Sequence, residues 1–343
     1  MSCDLSQKID GLRKKMGSRL CILGHHYQTD AVIRHCDFTG DSLELSRKVP
    51  TVDAEILVFC GVFFMGESAA LLTRPDQKVY IPAEHAECMM ALMAGAYEVE
   101  RVVRTVNTTR RVIPLAYVNT QAGVKSCVGA YNGAVCTSAN ADIMLDWAMR
   151  EGDAVLFLPD RHLACNTAKR LGLTEKDWQI LHLSQEALAD PALQEKRLLI
   201  WPGCCPVHAQ LRQEQIEAFR KKVPDASVYV HPECPPEVVS ASDGAGSTSF
   251  LIAKAKEAEK TGQKLGIGTE SNLVARLHKS NASVQGLLPM YCPDMNAVTE
   301  ERLLTLLQAI DANKAKALSL SERERKSAKE AITRMLTVCD TVR

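Results

Sequence analysis

Four kinds of segment recur three times, in the same order, along this 343-residue chain, and that internal repeat narrows the accessible folds more than any other feature. The first kind is an apolar strand ending in ring-bearing or amide residues, at 20–28, 113–119 and 228–233. The second is a small-residue turn with a hydroxyl that opens an amphipathic helix, at 40–46, 136–141 and 244–249. The third is another apolar strand, at 56–65, 154–159 and 264–269. The fourth is a strand that runs into proline and then cysteine: 79–82 before Cys88, 198–202 before Cys205, and 287–289 before Cys292. Spacing is held as well as order. His25 to Ser42 is 17 residues, Asn119 to Ser138 is 19, and His231 to Thr248 is 17. The interval from Ser138 to Cys205 is longer than its counterparts, and the polar, helix-forming stretch 174–197 reads as the insertion responsible.

Strands alternating with helical patterns indicate β-α-β crossovers and parallel sheets. Parallel strands are covered on both faces, which explains runs that are continuously apolar rather than alternating. The expected fold is α/β: three pseudo-threefold-related, three-layer α/β/α domains with small parallel sheets around a central active site. Their expected spans are 1–92, 93–210 and 211–296. The segment 297–343 carries Leu303, Leu304, Leu307 and Ile310 at helical spacing and is expected to pack back on the body as helix.

The charges cancel, 41 Lys+Arg against 41 Asp+Glu, so nothing calls for nucleic acid or an anionic membrane as partner. The longest apolar run, 56–65, is too short to span a bilayer and reads as a buried strand. The first residues lack the apolar core of a secretory signal, so a cytoplasmic protein is expected. Thirteen cysteines are an odd number at low density, which points to reduced thiols, with Cys21 and Cys60 inside apolar strands as small buried hydrophobes. No C-x-x-C occurs, so thiolates that bind metal must converge from distant segments.

Ligands bind at the carboxyl ends of the strands in open parallel sheets. The polar residues of the repeat all lie there, so three units about an axis would aim three sets at one cavity. Each set offers a His or Tyr/Asn group, a hydroxyl and a cysteine. Taken singly, Ser42, Ser138 and Thr248 read as helix N-caps, and the same turns suit a carboxylate or phosphate. Any one of Cys88, Cys205 and Cys292 would read as a buried thiol; three at one register read as a thiolate metal site. Zinc and an iron–sulfur cluster both remain open on this ground.

The ordered set Gly24-His-His-Tyr-Gln28, Gly40-Asp-Ser-Leu43, Tyr117-Val-Asn119, Cys136-Thr-Ser-Ala-Asn140, Cys205-Pro-Val-His208, His231-Pro-Glu-Cys234, Gly246-Ser-Thr248 and Gly268-Thr-Glu270 resembles the quinolinate synthase family. The likeness runs from about residue 20 to 300. It implies an enzyme of NAD biosynthesis that condenses iminoaspartate with dihydroxyacetone phosphate, releasing phosphate and two waters. It also implies an oxygen-sensitive 4Fe-4S cluster held by Cys88, Cys205 and Cys292 with one iron open, and functional coupling to an enzyme that oxidises L-aspartate. Carried over residue by residue, the substrate contacts fall on His25, Ser42, Tyr117, Asn119, Ser138, His231, Glu233 and Thr248. Glu233, His231 and Tyr27 are the acid–base candidates, because each can exchange a proton with a bound intermediate. The chain departs from the family pattern at His26, in the glycine-rich, Cys127-bearing stretch 121–135, and at Glu84-His-Ala-Glu87 before Cys88. The competing readings are a different three-cysteine hydro-lyase, which phosphate release would exclude, and a metal-stabilised sensor or scaffold. A sensor would have no need of three hydroxyl-bearing helix starts facing one cavity.

Overall fold

The computed structural model describes residues 2–341. Its thirteen strands are β1 (Leu20–His25), β2 (Phe38–Gly40), β3 (Ile56–Cys60), β4 (Lys78–Tyr80), β5 (Val112–Tyr117), β6 (Ala134–Cys136), β7 (Ala154–Leu158), β8 (Trp178–Ile180), β9 (Leu198–Ile200), β10 (Ser227–Val230), β11 (Gly244–Ala245), β12 (Leu265–Gly268) and β13 (Val284–Gly286). They form three parallel sheets of order β2-β1-β3-β4, β6-β5-β7-β9-β8 and β11-β10-β12-β13. Helices flank each sheet, so the α/β class with three small layered units holds. The order is the same in all three once β8 is set aside.

Several segments differ from the sequence reading. The apolar run 56–65 is not one strand: β3 ends at Cys60, and helix Phe63–Leu72 follows, with every residue after Phe63 buried. A helix buried on all sides has no polar face, so its hydrophobic pattern matches that of a buried strand. The stretch 174–197 is mainly not helix; it supplies β8, one short helical turn (Gln185–Leu188) and a 3₁₀ segment. The last strand of the third unit is Val284–Gly286, just ahead of 287–289. The edge strands β2 and β6 run into the segments read as small-residue turns and β11 opens the third of them; none was read as strand, since two or three residues are too few to show a period.

Beyond the third sheet, helix Glu300–Asp311 buries Leu303, Leu304 and Leu307 with Ile9 of the first helix, Ser2–Met16. Helix Glu322–Thr341 buries Ala328, Ala331, Ile332 and Met335 against the second unit. One glycine of 121–135 has its explanation here. A Cβ on Gly129 would lie 1.9 Å from the Ser327 carbonyl oxygen, so only glycine lets the last helix seat. Among the described residues, no helix is long and apolar enough to cross a membrane.

Candidate active site

The carboxyl ends of the three sheets face one cavity, and its wall includes residues of all three units. His25, the last residue of β1, and Tyr27 come from the first; Tyr117, the last of β5, and Asn119 from the second; His231 and Glu233, just past β10, from the third. Ser42, Ser138, Thr248, Cys88, Cys205 and Cys292 line the same space. Every residue singled out from the sequence is therefore brought to one place. Cys204 and His26 are not on its wall.

The Tyr27 and Glu233 loops are held from outside their own units, and the Cys205 loop from within its own. Arg276 and Asn272, on the helix after β12, donate to the carbonyls of Gln28 (3.1 Å) and Tyr27 (3.0 Å) and so pin the Tyr27 loop. Asn166, on the helix after β7, donates to the carbonyls of Pro232 and Cys234, both at 2.9 Å, on either side of Glu233. Asp160 caps that helix through the Leu163 amide (2.7 Å) and accepts the Cys205 amide (2.9 Å) with its other oxygen.

The hydroxyls are not the helix caps expected of them. Helix Ser42–Lys48 is capped by Asp41, which accepts the Leu43 and Glu44 amides at 3.0 and 2.9 Å. Ser247 caps helix Thr248–Thr261, and Asn140 stands at the cap of helix Ala141–Glu151 while holding the Thr137 amide at 2.6 Å. A side chain one residue before the helix satisfies the free amides, which leaves Ser42 and Thr248 at the first helical position with hydroxyls toward the cavity.

A hydrogen-bonded chain crosses the polar wall. The Thr248 hydroxyl donates to the Tyr27 oxygen (3.4 Å), Tyr27 and Thr269 hydroxyls meet at 2.8 Å, and Thr269 reaches His208 Nε2 at 3.0 Å. His208 Nδ1 lies 2.7 Å from Glu233 Oε2, and its ring stacks on His231 with centroids 4.5 Å apart. One tautomer, with the proton on Nδ1, satisfies the whole chain: His208 donates to Glu233 and accepts from Thr269.

Burial would raise Glu233, but the facing His231 and His208 and hydrogen bonds from His208 and Tyr117 bring it below the ordinary carboxylate range. Burial lowers His25 and His231 to about 3, so both are neutral rings and the hydrogen bonds keep Glu233 ionised. Burial, with the Glu233 charge second, pushes Tyr27 and Tyr117 well up, which keeps them as phenols. Glu270, also on the cavity wall, is raised to about 7 by burial, and its Oε1 has no partner.

The thiols respond differently. Burial pushes Cys88 to about 12, Cys292 to about 11 and Cys205 well above the usual thiol range. Each sulfur receives backbone amides from the turn that follows it. Three partly buried thiols with raised pKa values at one cavity become thiolates only when a cation compensates them. Four-coordinate zinc, with Zn–S near 2.3 Å, needs sulfurs about 3.8 Å apart. Among the described residues, the only set of three His, Cys, Asp or Glu ligand atoms that all lie within 4.8 Å of one another is Cys205, His208 and Glu233, which joins one of the three cysteines to the polar wall. Thiol sulfur is the donor that iron–sulfur ligation uses, so the chemistry of these three residues fits such a group.

Sequence reasoning assigned no role to His208, Thr269, Glu270 or Asp41. All four lie inside the quoted motifs, Cys205-Pro-Val-His208, Gly268-Thr-Glu270 and Gly40-Asp-Ser, so the signal was present. The apolar wall of Val62, Phe64, Met65, Val207 and Met295 had none.

The family model described as quinolinate synthetase A protein matches residues 7–337. Proteins named quinolinate synthase are 39% identical in Bacillus pumilus, over 98% of this chain and 93% of the relative, and 38% identical in Streptomyces coelicolor, over 98% and 88%. The Bacillus subtilis relative of the same name is 37% identical, over 98% of this chain and 93% of its own.

Proposed function

The chain belongs to the quinolinate synthase family, and from that premise we propose how its own residues divide the work. The reaction is the condensation of iminoaspartate with dihydroxyacetone phosphate to quinolinate, phosphate and water. In this reading Cys88, Cys205 and Cys292 hold a 4Fe-4S cluster with one iron left free of protein. Such a cluster, when bound, supplies a Lewis acid toward substrate oxygens. The hydroxyls of Ser42, Ser138 and Thr248 receive the two carboxylates and the phosphate. Asn119, whose buried Oδ1 has no partner in the chain, and His25 orient the ligand.

Glu233, held ionised by the His208 Nδ1–H and by Tyr117, is the base, and Tyr27, kept as a phenol beyond Thr269 at the other end of the hydrogen-bonded chain, is a donor. His231, a neutral ring stacked on His208, fixes that ring's plane and can accept a proton itself. The observation that carries this reading is the continuous path from Thr248 through Tyr27, Thr269 and His208 to Glu233 on the wall shared with three thiols. Iminoaspartate implies a supplying reaction that oxidises L-aspartate. None of the twelve described cysteines forms a disulfide, which suits a reducing compartment such as the cytoplasm.

The test is anaerobic. Reconstituted protein given both substrates is expected to form quinolinate and phosphate in equal amounts, with a visible absorbance that air removes together with activity. Turnover by metal-free or zinc-loaded protein would overturn the cluster assignment.

A further inference from the structure

Lys125 is fully buried and Glu67 nearly so, and neither touches the cavity. They are opposite charges in two different units that feel one another. Each grips the backbone of the same short turn. Lys125 Nζ donates to the Thr120 carbonyl, and Glu67 Oε2 accepts the Ala122 amide at 2.9 Å. That turn leads directly out of Tyr117 and Asn119. The Phe64 ring lies 5.3 Å below the ammonium and also forms part of the cavity wall.

The arrangement completes a cycle. In each unit a helix follows the third strand: Phe63–Leu72 after β3, Arg161–Arg170 after β7, Ser271–Ser280 after β12. The third unit's helix pins the Tyr27 loop of the first through Arg276 and Asn272, and the second unit's pins the Glu233 loop of the third through Asn166. Glu67 stands on the first unit's helix and closes the ring on the second. The two other clamps hold loops that carry site residues, and the turn held here begins beside Asn119.

We propose that Glu67 and Lys125 are positioning residues for substrate binding, which fix the turn at 120–122 and through it the Asn119 side chain. Burying two charges is costly, and a charge whose partner is removed is costlier still. The gain is a backbone segment held by two charge-assisted hydrogen bonds of opposite sense. The inference rests on the functional reading above, in which Asn119 meets the ligand.

The test is quinolinate binding, by calorimetry, to the reconstituted protein with cluster absorbance checked in each variant. Glu67→Leu and Lys125→Met are each expected to raise the Kd about tenfold, the scale of one lost hydrogen bond to a charged group. Glu67→Gln keeps an acceptor for the Ala122 amide and is expected to retain most of the binding that Glu67→Leu loses. In an Asn119→Ala background, Lys125→Met is expected to change the Kd less than about twofold, because its target is already gone. Unchanged Kd in the single variants, full additivity with Asn119→Ala, or equal losses for Gln and Leu at 67 would each overturn the proposal. Glu67→Gln and Glu67→Leu decide it even where Lys125→Met fails to fold. Absence of quinolinate binding by the unsubstituted protein would instead sink the reading of the site, and the inference with it.

Discussion

The two walls of the cavity come from one repeat, and burial treats them alike, yet they end in opposite states. Cys88, Cys205 and Cys292 follow the last strand of each unit's common order, and His25, Tyr117 and His231 stand at the end of the first. On the thiol wall, burial raises each pKa, and the chain answers with backbone amides and, at Cys205 alone, with the His208 ring 3.3 Å away. On the polar wall, burial also works against charge, but His208 and Tyr117 supply hydrogen bonds that keep Glu233 ionised. The difference teaches that a buried group is functional according to what faces it. On the polar wall the protein itself holds the charge of Glu233, whereas the thiol wall needs a cation, which in the proposed function is the cluster.

The strongest way to break this comparison is to substitute the thiols. Cys88→Ser, Cys205→Ser or Cys292→Ser is expected to abolish both the visible absorbance and turnover, while serine at Cys21 or Cys165 leaves the absorbance in place. Normal absorbance in any of the first three would remove that residue from the ligand set. Next comes Glu233→Gln, which keeps the shape and loses the titrating proton. Its kcat is expected to fall by roughly 10²- to 10⁴-fold with the absorbance unchanged. A near-normal kcat would leave the acid–base work to His231 or Tyr27.

A third measurement asks whether the polar wall is as self-sufficient as it looks. His25 and His231 titrate near 3 in the folded protein and near 6.5 when unfolded. Between those values the unfolded chain binds protons that the folded one does not. Stability of the metal-free protein is therefore whole above about pH 6.5 and falls as pH drops toward 3, by about 1.4 kcal/mol per pH unit for each ring. His231→Gln is expected to flatten the slope by one ring's share in denaturant titrations at pH 7, 6 and 5. An unaltered slope would mean that His231 is already protonated in the folded state. The smallest effect is expected at the hydroxyls: Ser42→Ala and Thr248→Ala should raise KM about tenfold with kcat little changed, because ground and transition states share the anion contacts. A fall in kcat at Thr248 with constant KM would instead assign its hydroxyl to the hydrogen-bonded chain through Tyr27.

Much of the site was legible because its residues sit at a fixed register in a repeat. His25, Tyr117 and His231 end equivalent strands, and three cysteines follow equivalent fourth strands, so one copy could be checked against two others. What could not be read has identifiable causes. Helix Phe63–Leu72 hid as strand because all but its first residue is buried. Ser42 and Thr248 passed as caps because Asp41 and Ser247, one position earlier, are cap residues of the same chemical type. His208 and Thr269 stood in recognisable motifs without a role, since the path that gives them one joins residues up to 242 positions apart.

By itself the sequence determined the α/β class, the threefold repeat of its strands and helices, and which residue types would stand at the strand ends. Those follow from hydrophobic period and spacing, which are properties of a few adjacent residues. The tertiary structure decided the rest: that Cys205, His208 and Glu233 draw together within 4.8 Å, that Glu233 meets His208 at 2.7 Å, and that each unit's helix pins a loop of the next. These depend on how three separately readable units pack around one cavity. No local pattern encodes that geometry, because the distances that set it run between residues whose neighbours in the chain say nothing about one another.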